Sequence, residues 1–217
     1  MNVLALEGAL DGFSAAIARD GGIAVSRQVP ATFALERGLG AVATILDEAR
    51  LTPLEIARLA VGIGPGRFTG LRIAIAYSKE LATAWRRPLV PISSFDLLEF
   101  GRTFERVLTI VVGRPGVISA RYRHGNDVRR ASGRTNDVLD AVVADDEARG
   151  ALPVIGAPED VLTALAERGI TVHHIQPAVT PAASAAALAA SSRSPAGSVH
   201  EIGADYGELP AVTIRKR

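Results

Sequence analysis

The sequence predicts an α/β fold of two lobes, each built on a mixed sheet, with the second lobe reduced. Three observations predict it. The first 29 residues read as three strands in succession around one tight turn. From there to about residue 100, helical and strand patterns alternate. A weaker strand–helix alternation fills the rest of the chain. Successive hairpins make an antiparallel meander, and helices between strands make parallel crossovers beside it. The expected lobes are residues 1–100 and 101–217.

Each element has its own signal. "NVLALEG" is a buried strand, and "GFSAAIARDGGIAVSRQV" is two strands turned at Asp20-Gly21-Gly22. "FALERGLGAVATILDEARL" sets Leu35, Leu39, Val42 and Leu46 at helical spacing, with Thr32 as the expected cap. Thr52-Pro53 opens a short second helix or turn. "LAVGIG" is a strand, "PGRFTG" a loop, and a helix runs on to about Arg86, with Leu71, Ile75, Ser78 and Leu81 on one stripe. "LVPI" is a strand, and Ser93 or Ser94 caps "SFDLLEFGRTF". In the second half, "RVLTIVVG" and "VISARYRH" pair around Pro115-Gly116, and "NDVRRASGRTND" is polar and loop-bounded. "LPVIG" and "ITVHHIQP" are strands; "APEDVLTALAERG" and "TPAASAAALAASS" are helices. "RSPAGS" reads as a mobile stretch, and "ELPAVTIRKR" as a tail that docks as a strand or floats. This mixed order is the pattern of ribonuclease H-like and actin-like domains (the acetate kinase, sugar kinase and Hsp70 group, ASKHA). Fold analogy alone says nothing of activity.

Composition removes several functions. The chain has 217 residues, 48 % hydrophobic and 22 % charged, an ordinary globular balance. A net charge of +1 demands neither nucleic acid nor an anionic membrane. Cysteine is absent, which removes disulfides, thiolate catalysis and zinc–thiolate sites. "MNVLALEGALDG" lacks the basic and long apolar regions of a signal peptide, and no apolar run reaches the roughly 20 residues of a membrane helix. The expected location is cytoplasmic, with no membrane partner.

The glycine-rich stretch "AVGIGPGRFTGLRIAIAYSKELA" poses the chemical question. A phosphate-binding P-loop needs Lys and Ser/Thr after its last glycine, but Gly70 is followed by Leu71. Gly64, Gly66 and Gly70 are spaced G-x-G-x-x-x-G, which is not the dinucleotide fingerprint. Gly64-Pro65-Gly66 permits a sharp exit from the strand, and Thr69 suits the helix N-cap. Physics alone favours a tight turn over a phosphate cradle.

Other constellations are weak. Glu7 ends the first strand, but one acid does not hold two metal ions, so a solvated or capping role is expected. Asp11 lies in a turn. His173-His174 are adjacent on a strand and point to opposite faces, with no third ligand nearby. Asp145-Asp146-Glu147 suits a solvated loop. No catalytic residue and no metal ligand is expected.

The stretch "GIGPGRFTGLRIAIAYSKELA" closely resembles the signature G-x-GPGSFTGLRIG…A-x-GLA of the bacterial TsaB family, also called YeaZ. "RGLGAVATILDEA", "PLVPISSFDLL" and "PAVTIR" extend the resemblance, which is convincing over residues 1–100. It implies a subunit with a degenerate nucleotide site that serves in making threonylcarbamoyladenosine in tRNA. It implies pairing with TsaD, the catalytic relative, joined by the P-loop ATPase TsaE, and a homodimer when TsaD is absent. ATP or ADP is implied only within the complex with TsaD, and tRNA contact is expected to be indirect. The implied pairing surface takes the two long helices: Leu39, Val42 and Leu46 from the first, then Gly66, Arg67, Phe68, Thr69, Gly70, Leu71, Arg72, Ile75 and Ser78. The signature helix also carries Ile73, Tyr77 and Ala84 off its main stripe, as a helix covered on two sides would.

There are departures. Arg67 stands where the family has Ser, and Glu7-Gly8-Ala9 where it has DTS. Ala34-Leu35-Glu36 stands for HSE, and "VGRPGVIS" for DAR-x-GEVY. The competing reading is an active actin-like ATPase or small-metabolite kinase.

Overall fold

The computed structural model describes residues 1–10, 12–30, 33–143, 150–177, 179–191 and 193–207. The expectations for Asp11, Thr32, Asp145-Asp146-Glu147 and the tail from residue 208 lie outside these residues.

The first sheet contains β1 (Asn2–Glu7), β2 (Phe13–Arg19), β3 (Gly22–Val29), β4 (Ile56–Gly62) and β5 (Leu89–Ile92), in the order β3-β2-β1-β4-β5. β2 is antiparallel to β1 and β3, while β4 and β5 continue in parallel. Strand periodicity sends alternate residues of β1 to opposite faces. Leu4 and Leu6 meet α1 (Ala34–Ala49) and α2 (Phe68–Trp85) in the larger core. Val3 and Ala5 face the other way, onto α6 (Pro181–Ser191). Burying each such leucine contributes roughly 1.5–3 kcal/mol.

The second sheet repeats this plan. β6 (Arg106–Arg114), β7 (Val117–His124), β8 (Asp127–Arg134), β9 (Leu152–Ile155) and β10 (Val172–Ile175) lie in the order β10-β9-β6-β7-β8. α3 (Ser94–Glu99) leads into it from the first sheet, and α4 (Thr135–Val143) and α5 (Glu159–Glu167) supply the helices of its core. Over the described residues these last two span 9 residues each, against 16 and 18 for α1 and α2. Among the described residues the second lobe is thus shorter in its helices, with as many strands in its sheet as the first.

Two open readings resolve and two expectations change. "DVRRASGR", which the sequence marks only as polar and loop-bounded, is strand β8, and α4 follows it directly. The Thr52-Pro53 segment is a single 3-10 turn, Pro53–Glu55, so β4 starts at Ile56. Glu55 accepts the Thr52 N–H at 2.8 Å and the Thr52 hydroxyl at 2.9 Å, which holds its carboxyl below the usual range. The alanine-rich α6 returns to the first lobe, where Ala185, Ala186 and Ala189 pack on Val3, Ala5 and Ala60. Only side chains this small let a helix backbone come so close to the sheet. "RSPAGS" is tied down: Ala196 N–H donates to Leu89 O at 3.0 Å, and Arg193 pairs with Asp96 at 2.6 Å.

The glycine loop and a candidate partner-binding surface

Three chain segments converge where β1 and β4 end. They are the turn after β1, the loop 63–67 and the stretch 202–207. Backbone meets backbone at each crossing. Arg67 N–H donates to Ala9 O at 2.7 Å, and Asp205 N–H donates to Ile63 O at 2.7 Å. Ser94 N–H donates to Gly64 O at 2.8 Å.

The glycines permit this. A Cβ on Gly70 would overlap Gly8 O, and one on Gly8 would overlap Gly70 O. A Cβ on Gly66 would overlap Ala9 O, and one on Gly64 would overlap Asp205 O. Gly64 also has φ 98°, where side chains are strained. The loop therefore serves as packing surface for the chain's own backbone. A cavity of about 210 Å³ remains beside it, lined by Gly8, Gly12, Arg67, Phe68, Thr69, Gly70 and Ile73.

Glu7 is fully buried rather than solvated. Its carboxyl group accepts from Ala9 N–H at 2.5 Å and Leu10 N–H at 3.4 Å, so it caps the turn. Gly62 makes room for it, since a Cβ there would sit 2.6 Å from Glu7 Cγ. Glu7→Ala leaves one buried and one half-buried N–H group without this acceptor. The expected cost is about 2–3 kcal/mol, read as a lowered urea midpoint with an unchanged slope.

The two long helices lie side by side on one face of the first sheet. Gly38 lets them touch: a Cβ there would meet Tyr77 Cε2 at 3.1 Å and Phe13 Cε1 at 3.3 Å. Tyr77 and Phe13 pack edge to face, with centroids 6.1 Å apart. α2 starts one residue before Thr69, at Phe68, with Arg67 as its N-cap, so Thr69 is not the cap.

Burial divides the expected surface residues. Val42 is 3 % exposed, Leu46 8 %, Leu71 0 %, Ile75 7 % and Ser78 0 %, so these five belong to the protein's own core. The apolar stripe that the helical spacing revealed is the stripe facing the sheet. Leu39 and Phe68 are exposed, at 49 % and 54 %, as are Arg67, Thr69 and Arg72; Gly66 and Gly70 are half-buried. Ala76 and Ala84 are exposed, and Ile73 and Tyr77 half-buried. The outward face of the pair thus mixes small residues with a few large apolar groups, cations and the acids Glu36, Asp47, Glu48 and Glu80. The Arg72 guanidinium lies 5.0 Å from the Phe68 ring centre, and the Tyr206 ring lies 5.0 Å from it too. Tyr206 reaches this face only because residues 202–207 cross the glycine loop, a long-range placement with no local sequence signal.

His173 and His174 are both exposed on edge strand β10. Among the described residues no group of acids and histidines could hold a metal ion, and no helix is long and apolar enough to cross a membrane.

Comparison with known proteins places this geometry. The family model described as TsaD, tRNA N6-adenosine threonylcarbamoyltransferase, matches residues 29–196. The Bacillus subtilis tRNA threonylcarbamoyladenosine biosynthesis protein TsaB is 29 % identical over 42 % of this chain. The chain belongs to this family, on its TsaB (YeaZ) branch. The chain spans 41 % of the length of that Bacillus TsaB. An uncharacterized protein of Mycobacterium tuberculosis is 32 % identical over 72 % of each chain. A solved Pseudomonas aeruginosa protein, described as similar to peptidase YeaZ, superimposes with TM-score 0.71 at 22 % identity, covering 95 % of this chain and 99 % of that one. That likeness shows the fold, two actin-like lobes on mixed sheets. In this TsaB-branch chain the signature stretch forms the closed loop and α2.

Proposed function

We propose that this chain is a non-catalytic partner subunit in the making of threonylcarbamoyladenosine in tRNA, pairing with TsaD through the outward face of α1 and α2. The observation that carries this reading is that face. Two helices packed at Gly38 offer small residues for close approach, with Leu39 and Phe68 standing exposed among them. Exposed aromatic and aliphatic groups rimmed by arginine are typical anchors of protein–protein contacts. The pathway is the one for which the TsaB relatives of Bacillus subtilis and Escherichia coli are named.

The closed loop supports a non-catalytic role. The Arg67 N–H, one of the four N–H groups at the start of α2 without a helical partner, is given to Ala9 O. Nucleotide is then expected only within the complex with TsaD, with TsaE as a further member. Alone, the chain pairs with itself, because the same apolar face otherwise meets water. The proposed location is cytoplasmic.

Size-exclusion chromatography with light scattering tests this on the chain alone and mixed with TsaD of the same organism. A homodimer that converts to a one-to-one complex is expected. A monomer that ignores TsaD would overturn the pairing. ATP turnover by the isolated chain, lost in a folded Glu7→Ala variant, would favour the ATPase or kinase reading.

A further inference from the structure

Between the lobes, on the side of the first sheet opposite α1 and α2, lies an open cavity of about 590 Å³. Its charged lining is Asp96, Glu99, Arg102, Arg121, Arg123 and Arg193. Four guanidinium groups thus face two carboxylates. Arg121, with a side chain only 6 % exposed, uses its whole fork: 2.6 Å to Asp96 and 2.8 Å to Glu99, with its Nε 3.2 Å from Glu99. Glu99 also accepts from Thr109 Oγ1 at 2.5 Å and takes Arg123 at 2.6 Å. The second oxygen of Asp96 takes Arg193 at 2.6 Å. Both carboxylates are therefore saturated by cations and a hydroxyl.

The remaining donors point elsewhere. Arg123 gives Nε and one terminal nitrogen to Glu99, leaving its other terminal nitrogen for another acceptor. Arg193 gives one terminal nitrogen to Asp96 and stays 45 % exposed. Among the described residues Arg102 meets only the carbonyl oxygen of Gln176, at 3.2 Å, and its formal charge has no carboxylate partner in the cavity lining. The lining therefore carries two formal positive charges in excess. Buried Glu99 and half-buried Asp96 orient the guanidinium groups, while Arg102 and Arg193 stay exposed, which is how a protein fixes arginines for a planar or tetrahedral oxyanion.

We infer that this cavity is an anion site for a phosphate group carried on a larger molecule, contacted by Arg102, Arg123 and Arg193. The cavity is larger than phosphate alone requires and open to solvent. Two sources share the chemistry: a backbone phosphate of RNA and the phosphates of a free nucleotide. The RNA source rests on the tRNA reading above, and makes tRNA contact direct where indirect contact was expected; the anion site itself does not rest on it.

The test uses the full chain with inorganic phosphate, ADP and an unmodified tRNA transcript. Arg102→Gln and Arg193→Gln remove exposed groups and leave the Arg121–Glu99 pair in place. Arg50→Gln, at the end of α1 on the other face, controls for bulk charge. Inorganic phosphate is expected to raise the melting temperature of the parent chain and of Arg50→Gln, and to raise it less in the two cavity variants. Labelled tRNA is expected to bind each cavity variant about tenfold more weakly, with a salt dependence shallower by about one ion. If ADP senses the cavity variants and tRNA does not, the nucleotide is the source and the RNA source is overturned. If no probe separates the cavity variants from Arg50→Gln, the anion site is overturned and the cluster is a clamp only. A chain that binds phosphate here yet ignores TsaD would fail the pairing reading while the site stands.

Discussion

Gly70→Ala is expected to destabilise the protein by about 3 kcal/mol, and Gly40→Ala to stabilise it by roughly 0.5–1 kcal/mol. Both glycines lie within long helices, where propensity alone favours alanine at each. Their surroundings set the sign. Nothing lies within 4 Å of a Cβ built at Gly40, so alanine there only reduces the freedom of the unfolded chain. At Gly70 the added methyl overlaps Gly8 O, a backbone atom that cannot rotate away. Either α2 or the turn after β1 must shift, and with it the Glu7 cap. For a chain of this size the loss reads as a melting temperature lower by roughly 6–12 °C. Equal stability of the two variants would show that α2 does not seat on the β1 turn. The same clash changes what a bulky substitution would report. Gly70→Trp, or Ile75→Asp in the core, would be expected from sequence to break pairing in a folded chain; here each would damage the fold first.

How much of this was legible in the sequence follows from the range of the interactions. The first lobe reads well because β1, β2 and α1 bury residues at their own characteristic spacings. β8 does not, because it is an edge strand whose exposed and half-buried positions are nearly all polar or glycine. Its identity comes from pairing with β7, which no local pattern records. The alanine-rich α6 reads as a helix, but nothing in its composition says that it packs on the first sheet. The glycine spacing matches neither standard phosphate loop. What the glycines do is set by Gly8, Ala9 and Asp205, two of them across the β1 turn and the third near the far end of the chain. The surface residues are the least legible. Helical periodicity finds the stripe that faces the sheet, and so selects Val42, Leu46, Leu71, Ile75 and Ser78, which are buried. An interface helix has to be read from what lies off that stripe, and there only Leu39, Phe68 and the off-stripe Ile73, Tyr77 and Ala84 remain to mark it.

Leu39→Asp is expected to abolish pairing without unfolding the chain. The side chain is 49 % exposed, so the substituted carboxylate keeps its water in the free protein and the fold loses little. On pairing that carboxylate must be desolvated against an apolar partner surface, which costs far more than the leucine contact it replaces. A central anchor lost in this way weakens an interface by roughly 2 kcal/mol or more, about thirtyfold in affinity, before the charge is counted. Ala76→Arg tests the same face from the other helix by bulk and charge together, since Ala76 is exposed on α2. Arg50→Gln again serves as control, because Arg50 lies at the C-terminal end of α1, away from Leu39 near its start. Light scattering on the mixture with TsaD, with circular dichroism to verify the fold, reads the result. If both folded variants still form the one-to-one complex with unchanged affinity, the α1–α2 face is not where the partner sits. If each variant loses both the homodimer and the complex, one surface serves both, and the homodimer must open before TsaD can bind. That competition would make the effective affinity for TsaD fall as the concentration of this chain rises, a dependence that a second, separate homodimer surface would not produce.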